Sequence, residues 1–132
     1  TKCKEVYGIE INPIAHKYAL ENIKKNNLEK KIRLFPGDAK KIIPKINKKF
    51  DRILMPLPKG GESFLGLALK YIKSKGIIHF YDFQHEGEFH KAEDKIRDDC
   101  KKSNRKYRTL RIVKCGQYSP GFYRICIDFE VY

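Results

Sequence analysis

Two carboxylates stand where short apolar runs stop. Glu10 closes the run Glu5-Val6-Tyr7-Gly8-Ile9-Glu10, and Asp38 follows Lys31-Ile32-Arg33-Leu34-Phe35 after a Pro36-Gly37 turn. In an open α/β sheet, ligands bind beyond the carboxyl ends of the strands. A carboxylate at such a tip can accept both hydroxyls of a ribose, and one at the next tip can take an adenine amino group. Glu10 and Asp38 together therefore frame a nucleoside. Taken singly, each is more often a helix cap or a surface charge, since an acid between a strand and a helix satisfies free amides of the first turn. A third tip, after Phe50-Asp51-Arg52-Ile53-Leu54-Met55, carries Pro56-Leu57-Pro58-Lys59, and its paired prolines fix two backbone torsions while offering no amide proton at either.

Other chemistry is diffuse. Lys101-Lys102-Ser103-Asn104-Arg105-Lys106-Tyr107-Arg108 is the densest basic run. Its Lys101, Lys102, Arg105 and Lys106 are candidate phosphate contacts, with a solvated helix end as the equal alternative. Lys59 joins them as a candidate RNA contact. Tyr118 sits in an expected loop near Lys114 and Arg124, where it can stack on a base or pack with a wet hydroxyl. Asp82, His85 and Glu86 could ligate a cation, but polar loops at strand ends are ordinary and no metal is expected. Cys3, Cys100, Cys115 and Cys126 have no C-x-x-C spacing, which argues against a zinc knuckle and for reduced, packed thiols.

The charge balance sets the partner class. The 132 residues hold 29 Lys plus Arg against 16 Asp plus Glu, a net +13. Such a surplus favours a polyanion, although a heat-adapted surface also accumulates lysine. The length suits one domain, 1–132. The apolar fraction of 41% excludes wholesale disorder. The longest apolar stretches, such as Gly76 to Phe83, fall far short of a bilayer span, so the chain is expected to be soluble and cytoplasmic.

The elements that must hold these residues alternate. Strands are expected up to Glu10, over Lys31 to Phe35, Phe50 to Met55 and Gly76 to Phe83. Helices are expected from Ile14 to Asn27, over Lys40 to Ile46, Glu62 to Lys73 and Glu88 to Lys102. Tyr107 to Cys115 and Tyr123 to Val131 close the chain as a hairpin around the loop Gly116 to Gly121. That order demands an α/β fold with a mostly parallel sheet, helices on both faces and a C-terminal antiparallel hairpin.

Four segments add a resemblance. They are Gly8-Ile9-Glu10-Ile11-Asn12-Pro13, Gly37-Asp38-Ala39, Asp51 to Lys59 and Ile77-Ile78-His79-Phe80-Tyr81-Asp82-Phe83. Together with Tyr118-Ser119-Pro120-Gly121-Phe122-Tyr123, they resemble the catalytic domain of archaeal tRNA (guanine-N1)-methyltransferases, which modify guanosine 37 beside the anticodon. The resemblance implies a Rossmann-like class I S-adenosylmethionine (SAM) fold and a tRNA substrate. It implies SAM contacts at Glu10, Ile11, Asp38, Ala39 and Pro56, with Pro56, Leu57 and Pro58 beside the reacting guanine. Two departures matter. No Gly-x-Gly occurs in this sequence, so the family's first strand, glycine loop and general base are expected before Thr1, and the chain alone is expected to be inactive. Pro56-Leu57-Pro58 also replaces the usual Asn-Leu-Pro or Asn-Pro-Pro, which removes a side-chain acceptor. The related wybutosine-pathway enzyme, which transfers an aminocarboxypropyl group from SAM, is the first alternative. A non-catalytic RNA-binding fragment is the second.

Overall fold

The computed structural model describes residues 3–132. Where one domain is expected, the chain divides between Lys48 and Lys49 into two compact units, each with its own sheet.

In the first unit, strand β1 (Val6–Glu10) pairs in parallel with β2 (Ile32–Pro36), with Gly8 opposite Leu34 and Glu10 opposite Pro36. Gly8 lets the Leu34 side chain lie close over β1: a Cβ there would come 2.5 Å from Leu34 Cδ2, and that side chain would have to turn aside. Helix α1 (Pro13–Lys25) makes the crossover. The Asn12 side chain accepts from the Ile14 amide at 2.9 Å, and Pro13 occupies a first-turn position whose missing N–H has no helical partner to lose. The short α2 (Ala39–Ile46) is capped by Asp38 and ends at Asn47 in the left-handed region.

The second unit runs β3 (Phe50–Met55), a 3₁₀ turn at Gly61–Phe64, α3 (Leu65–Tyr71), β4 (Ile72–His85), α4 (His90–Lys102), β5 (Tyr107–Ser119) and β6 (Phe122–Val131). Its sheet has the order β3-β4-β6-β5. Strand β3 is parallel to β4, whereas β6 is antiparallel to both β4 and β5. The closing pair is thus a hairpin, as expected, but its last strand lies between β4 and β5. A continuous ladder from Gly76 opposite Val131 to His85 opposite Phe122 holds it there.

Two boundaries depart from the sequence pattern. The helix expected over Glu62 to Lys73 is a 3₁₀ turn plus seven α-helical residues. Ile72 leaves it to pair with Phe50, and Lys75 then adopts φ 62° before Gly76. The loop expected over Gly116 to Gly121 shrinks to Pro120-Gly121. Gly121 supplies a φ of 70°, which fits proline then glycine at the centre of a tight turn. Tyr118 therefore belongs to strand β5.

One face of the four-stranded sheet makes the core. Ile78 and Phe80 of β4 and Ile125, Ile127, Phe129 and Val131 of β6 are fully buried with Leu65 and Leu69 of α3 and Ala92 and Ile96 of α4. Asp82 is buried at the end of that row, and its charge is met by Lys95 Nζ at 2.7 Å, the Gln84 amide at 2.9 Å and the Phe83 N–H at 2.9 Å. Among the described residues, no helix is long and apolar enough to cross a membrane.

Candidate functional site

Both carboxylates of the first unit stand at the carboxyl end of its parallel strand pair. Glu10 is the last residue of β1, and Asp38 follows β2 after Gly37, whose φ of 125° is open to glycine at little cost. The Gly37 amide donates to the Glu10 carbonyl at 2.9 Å and ties the two tips together. Glu10 Oε1 accepts from the Asn12 amide at 2.7 Å, and Oε2 has no partner among the described residues. Asp38 Oδ1 caps α2 by accepting from the Lys40 amide at 2.8 Å, and Oδ2 has no partner among them either. Asp38 is thus a helix cap and still holds a spare acceptor.

Ile11, 71% exposed, follows Glu10, and Ala39 opens α2. An oriented carboxylate with a free oxygen, a second carboxylate and an exposed apolar side chain fit a nucleoside, with a diol for Glu10 and an amino edge for Asp38. The nucleoside part of SAM has that chemistry.

In the second unit, Pro56, Leu57, Pro58 and Lys59 leave the carboxyl end of β3. Pro56, Leu57 and Lys59 are exposed and Pro58 is half-buried. Gly60 turns the chain at φ 82°, and its carbonyl accepts from the Ser63 hydroxyl at 2.9 Å. A Cβ on Gly61 would lie 3.7 Å from the Phe80 ring and 3.9 Å from Leu57 Cβ, so the loop packs against β4.

The basic run is less open than its composition implies. Arg105 donates to the Tyr132 carbonyl at 2.9 Å and the Leu69 carbonyl at 2.8 Å, clamping the chain's last strand to the end of α3. Lys102 pairs with Asp99 at 3.7 Å and borders a cleft that also carries Glu62, Asp98 and Asp99. Arg108 pairs with Glu130 at 3.0 Å. Lys101 and Lys106 remain exposed.

The histidine and cysteine chemistry gathers away from the loop where the sequence suggested it. Glu86 pairs with Lys114, and Asp82 is satisfied by its own partners. Instead, on the sheet face opposite the core, His79 Nδ1 lies 2.5 Å from Asp128 Oδ1, Arg111 Nε lies 2.5 Å from Asp128 Oδ2, and the Cys126 thiol donates to Asp128 at 3.4 Å. Burial opposes the Asp128 charge, but hydrogen bonds from Arg111, His79 and Cys126 outweigh it and hold the carboxyl below its ordinary range. Burial, then Asp128, pushes the Cys126 thiol up to about 12. The ligand atoms of His79, Cys126 and Asp128 come within 4.8 Å of one another. With the thiol protonated and the carboxylate engaged, this is a hydrogen-bonded network. Sequence reasoning missed it because only strand register brings His79 opposite Asp128. All four cysteines are free; Cys100 and Cys126 are buried, Cys115 is half-buried and Cys3 is exposed.

Tyr118, 71% exposed, meets Phe83 at 5.0 Å and Phe122 at 5.9 Å between ring centroids. Phe83 and Phe122 lie within segments that carry the resemblance but are not among the candidate site residues; Phe83 reads as a strand residue, and Phe122 falls between the expected loop and the last expected strand, whereas it opens β6.

The family model described as TRM5/TYW2 methyltransferase domain matches residues 1–110. The tRNA (guanine(37)-N(1))-methyltransferase Trm5b of Pyrococcus abyssi is 37% identical over 131 residues, 98% of this chain and 38% of that protein. Its crystal structure superposes with a TM-score of 0.88 at 36% identity, over 97% of this chain and 38% of that one. The tRNA(Phe) (4-demethylwyosine(37)-C(7)) aminocarboxypropyltransferase of Methanocaldococcus jannaschii is 27% identical over 97% of this chain and 51% of that protein. The M. jannaschii TYW2 structure in complex with AdoMet superposes at 0.87 with 26% identity, covering 97% of this chain and 57% of that one. The chain thus spans between 38% and 57% of the length of these relatives.

Proposed function

The chain belongs to the TRM5/TYW2 methyltransferase domain family, with the class I SAM methyltransferase fold, and from that premise we propose that it forms the SAM-binding catalytic portion of a tRNA methyltransferase acting on N1 of guanosine 37. The observation that carries the reading is Glu10, a strand-tip carboxylate with one oxygen fixed by the Asn12 amide and the other free. Residues 1–132 are read as one catalytic domain, because the family match runs across the boundary at Lys48.

SAM, when bound, supplies an activated methyl group. Glu10 takes the ribose hydroxyls, Asp38 the adenine amino group, and Ile11 and Ala39 the faces of the base. Pro56, Leu57 and Pro58 form a stiff loop that orients the target guanine with little ordering cost during reaction. Pro56 can recognise that base only through its carbonyl, since proline has no donor. Lys59, Lys101 and Lys106 contribute electrostatic attraction to the tRNA backbone.

Aminocarboxypropyl transfer is the second reading, supported by the likeness to the M. jannaschii transferase. Methyl transfer is favoured by the higher identity to Trm5b and by the Met55-Pro56-Leu57-Pro58 sequence. Mass spectrometry of nucleosides from tRNA treated with the enzyme from its complete gene decides between them. The expected product is N1-methylguanosine, and an aminocarboxypropyl adduct establishes the second reading. In calorimetry Glu10→Ala is expected to weaken SAM about tenfold, the value of one charge-assisted contact. Unchanged affinity removes Glu10 from the site.

A further inference from the structure

We infer that Phe83, Tyr118 and Phe122, with Arg124 and Gln117 beside them, form a stacking subsite for one unpaired RNA base. This rests on the reading of RNA as substrate and adds to it a place where a base, as distinct from the backbone, is held. The hairpin of β5 and β6 closes at Pro120-Gly121, and that turn brings Tyr118 of β5 and Phe122 of β6 to the end of β4 where Phe83 stands. Phe83 and Phe122 are stacked at 5.6 Å and 28°, while Tyr118 meets Phe122 edge-on at 86°. The two phenylalanines thereby support a tyrosine ring that is itself 71% exposed.

The surroundings select the occupant. Phe83, Gly116, Gln117, Tyr118 and Arg124 line a cleft of about 180 Å³ that contains no carboxylate. The larger cleft of the same unit, beside α4, carries Glu62, Asp98 and Asp99 against Lys95 and Lys102, each already paired with a carboxylate, and is less suited to a polyanion. Glu86, the acid nearest in sequence to the β4 end, is neutralised by Lys114. Among the described residues, the Arg124 side chain bonds only to the Cys115 carbonyl, at 3.4 Å, which leaves guanidinium N–H groups for a phosphate or a base edge. The Gln117 amide offers both a donor and an acceptor. A net +13 chain with an exposed aromatic ring beside an arginine matches the stacking-plus-cation chemistry of unpaired nucleic acid.

The experiment uses the full enzyme and a stem-loop RNA carrying 2-aminopurine in its unpaired loop. On wild type the loop fluorescence is quenched on binding. Tyr118→Phe should retain both quenching and affinity. Tyr118→Ala should lose the quenching and about tenfold in affinity, the lower range for one base–aromatic stack, with the salt dependence unchanged because no phosphate contact is lost. Tyr118→Leu, which keeps apolar packing on Phe83 and Phe122, should behave as Tyr118→Ala and separates a lost ring from a disturbed fold. Wild-type quenching and affinity in Tyr118→Ala overturn the subsite while RNA binding stands. A lowered melting temperature of Tyr118→Ala with unchanged RNA binding also overturns it, and shows that the cleft seats another part of the protein. Failure of the wild-type enzyme to bind the stem-loop overturns the RNA reading itself.

Discussion

The two faces of the β3-β4-β6-β5 sheet hold the same strands by different physics. On the face toward α3 and α4, successive residues of β4 and β6 are hydrocarbon with no exposure: Ile78, Phe80, Ile125, Ile127 and Phe129. On the opposite face the same strands alternate to His79, Tyr81, Cys126 and Asp128, joined by hydrogen bonds and extended by Arg111 of β5. One face gains by excluding water from apolar area, and the other gains only where its buried polar atoms find partners, as Asp128 does through both oxygens while the buried His79 Nε2 has none among the described residues. The apolar face should therefore carry the larger share of stability. Phe129→Ala should cost about 3–5 kcal/mol in urea unfolding, the usual range for emptying a buried aromatic site. A loss below that of the polar-face variants would reverse the ranking.

Asp128 is the centre of the second face. Asp128→Asn keeps the volume but removes the charge that Arg111 and His79 meet, and should cost about 1–3 kcal/mol. The pH dependence has a definite sign. The folded-state carboxyl titrates below its ordinary value of 3.8, so the folded protein binds this proton less readily than the unfolded chain. The stabilisation is complete above the ordinary value and is lost as pH falls through the lower folded-state value. Below about pH 4, wild type should lose stability more steeply than Asp128→Asn, as measured by urea midpoints across pH. Parallel curves would remove Asp128 as the source.

Much of this was legible before the structure. The strands at Glu10, Phe35 and Met55 are bounded by Asn-Pro, Pro-Gly and Pro-Leu-Pro, and those local stops place the candidate residues at strand tips. The alternation Ile78-His79-Phe80 already shows one core-facing side. The insertion of β6 between β4 and β5 was not legible, because a hairpin pattern fixes which strands are joined in sequence and leaves the outer neighbour open. The same gap hid the His79–Asp128 pair, which depends on the register of that insertion. Arg105 looked like one more cation in a basic run, and the carbonyls that hold it, of Leu69 and Tyr132, are distant in sequence. Lys102 was half legible, since Asp99 stands three residues before it on one helix face, the spacing of a local ion pair. For Glu10 and Asp38, what the structure adds is which oxygen each has left to use.

The smallest effect lies at the edge of the polar face. Arg111 approaches Asp128 at 2.5 Å, yet its side chain is 68% exposed while that of Asp128 is 7% exposed. Water solvates the guanidinium almost as well without the pair, and His79 and Cys126 still meet Asp128, so deleting the cation should cost less than deleting the carboxylate. Arg111→Gln keeps a donor and most of the stem, and is expected to lose about 0.2–1 kcal/mol, the range for an exposed ion pair. That loss should shrink as salt is raised from 0.1 M to about 1 M, because the screening length falls to roughly 3 Å, whereas the Phe129→Ala loss should persist. A cost for Arg111→Gln equal to that of Asp128→Asn, and insensitive to salt, would show that the guanidinium is shielded in solution and that the polar face is a second core.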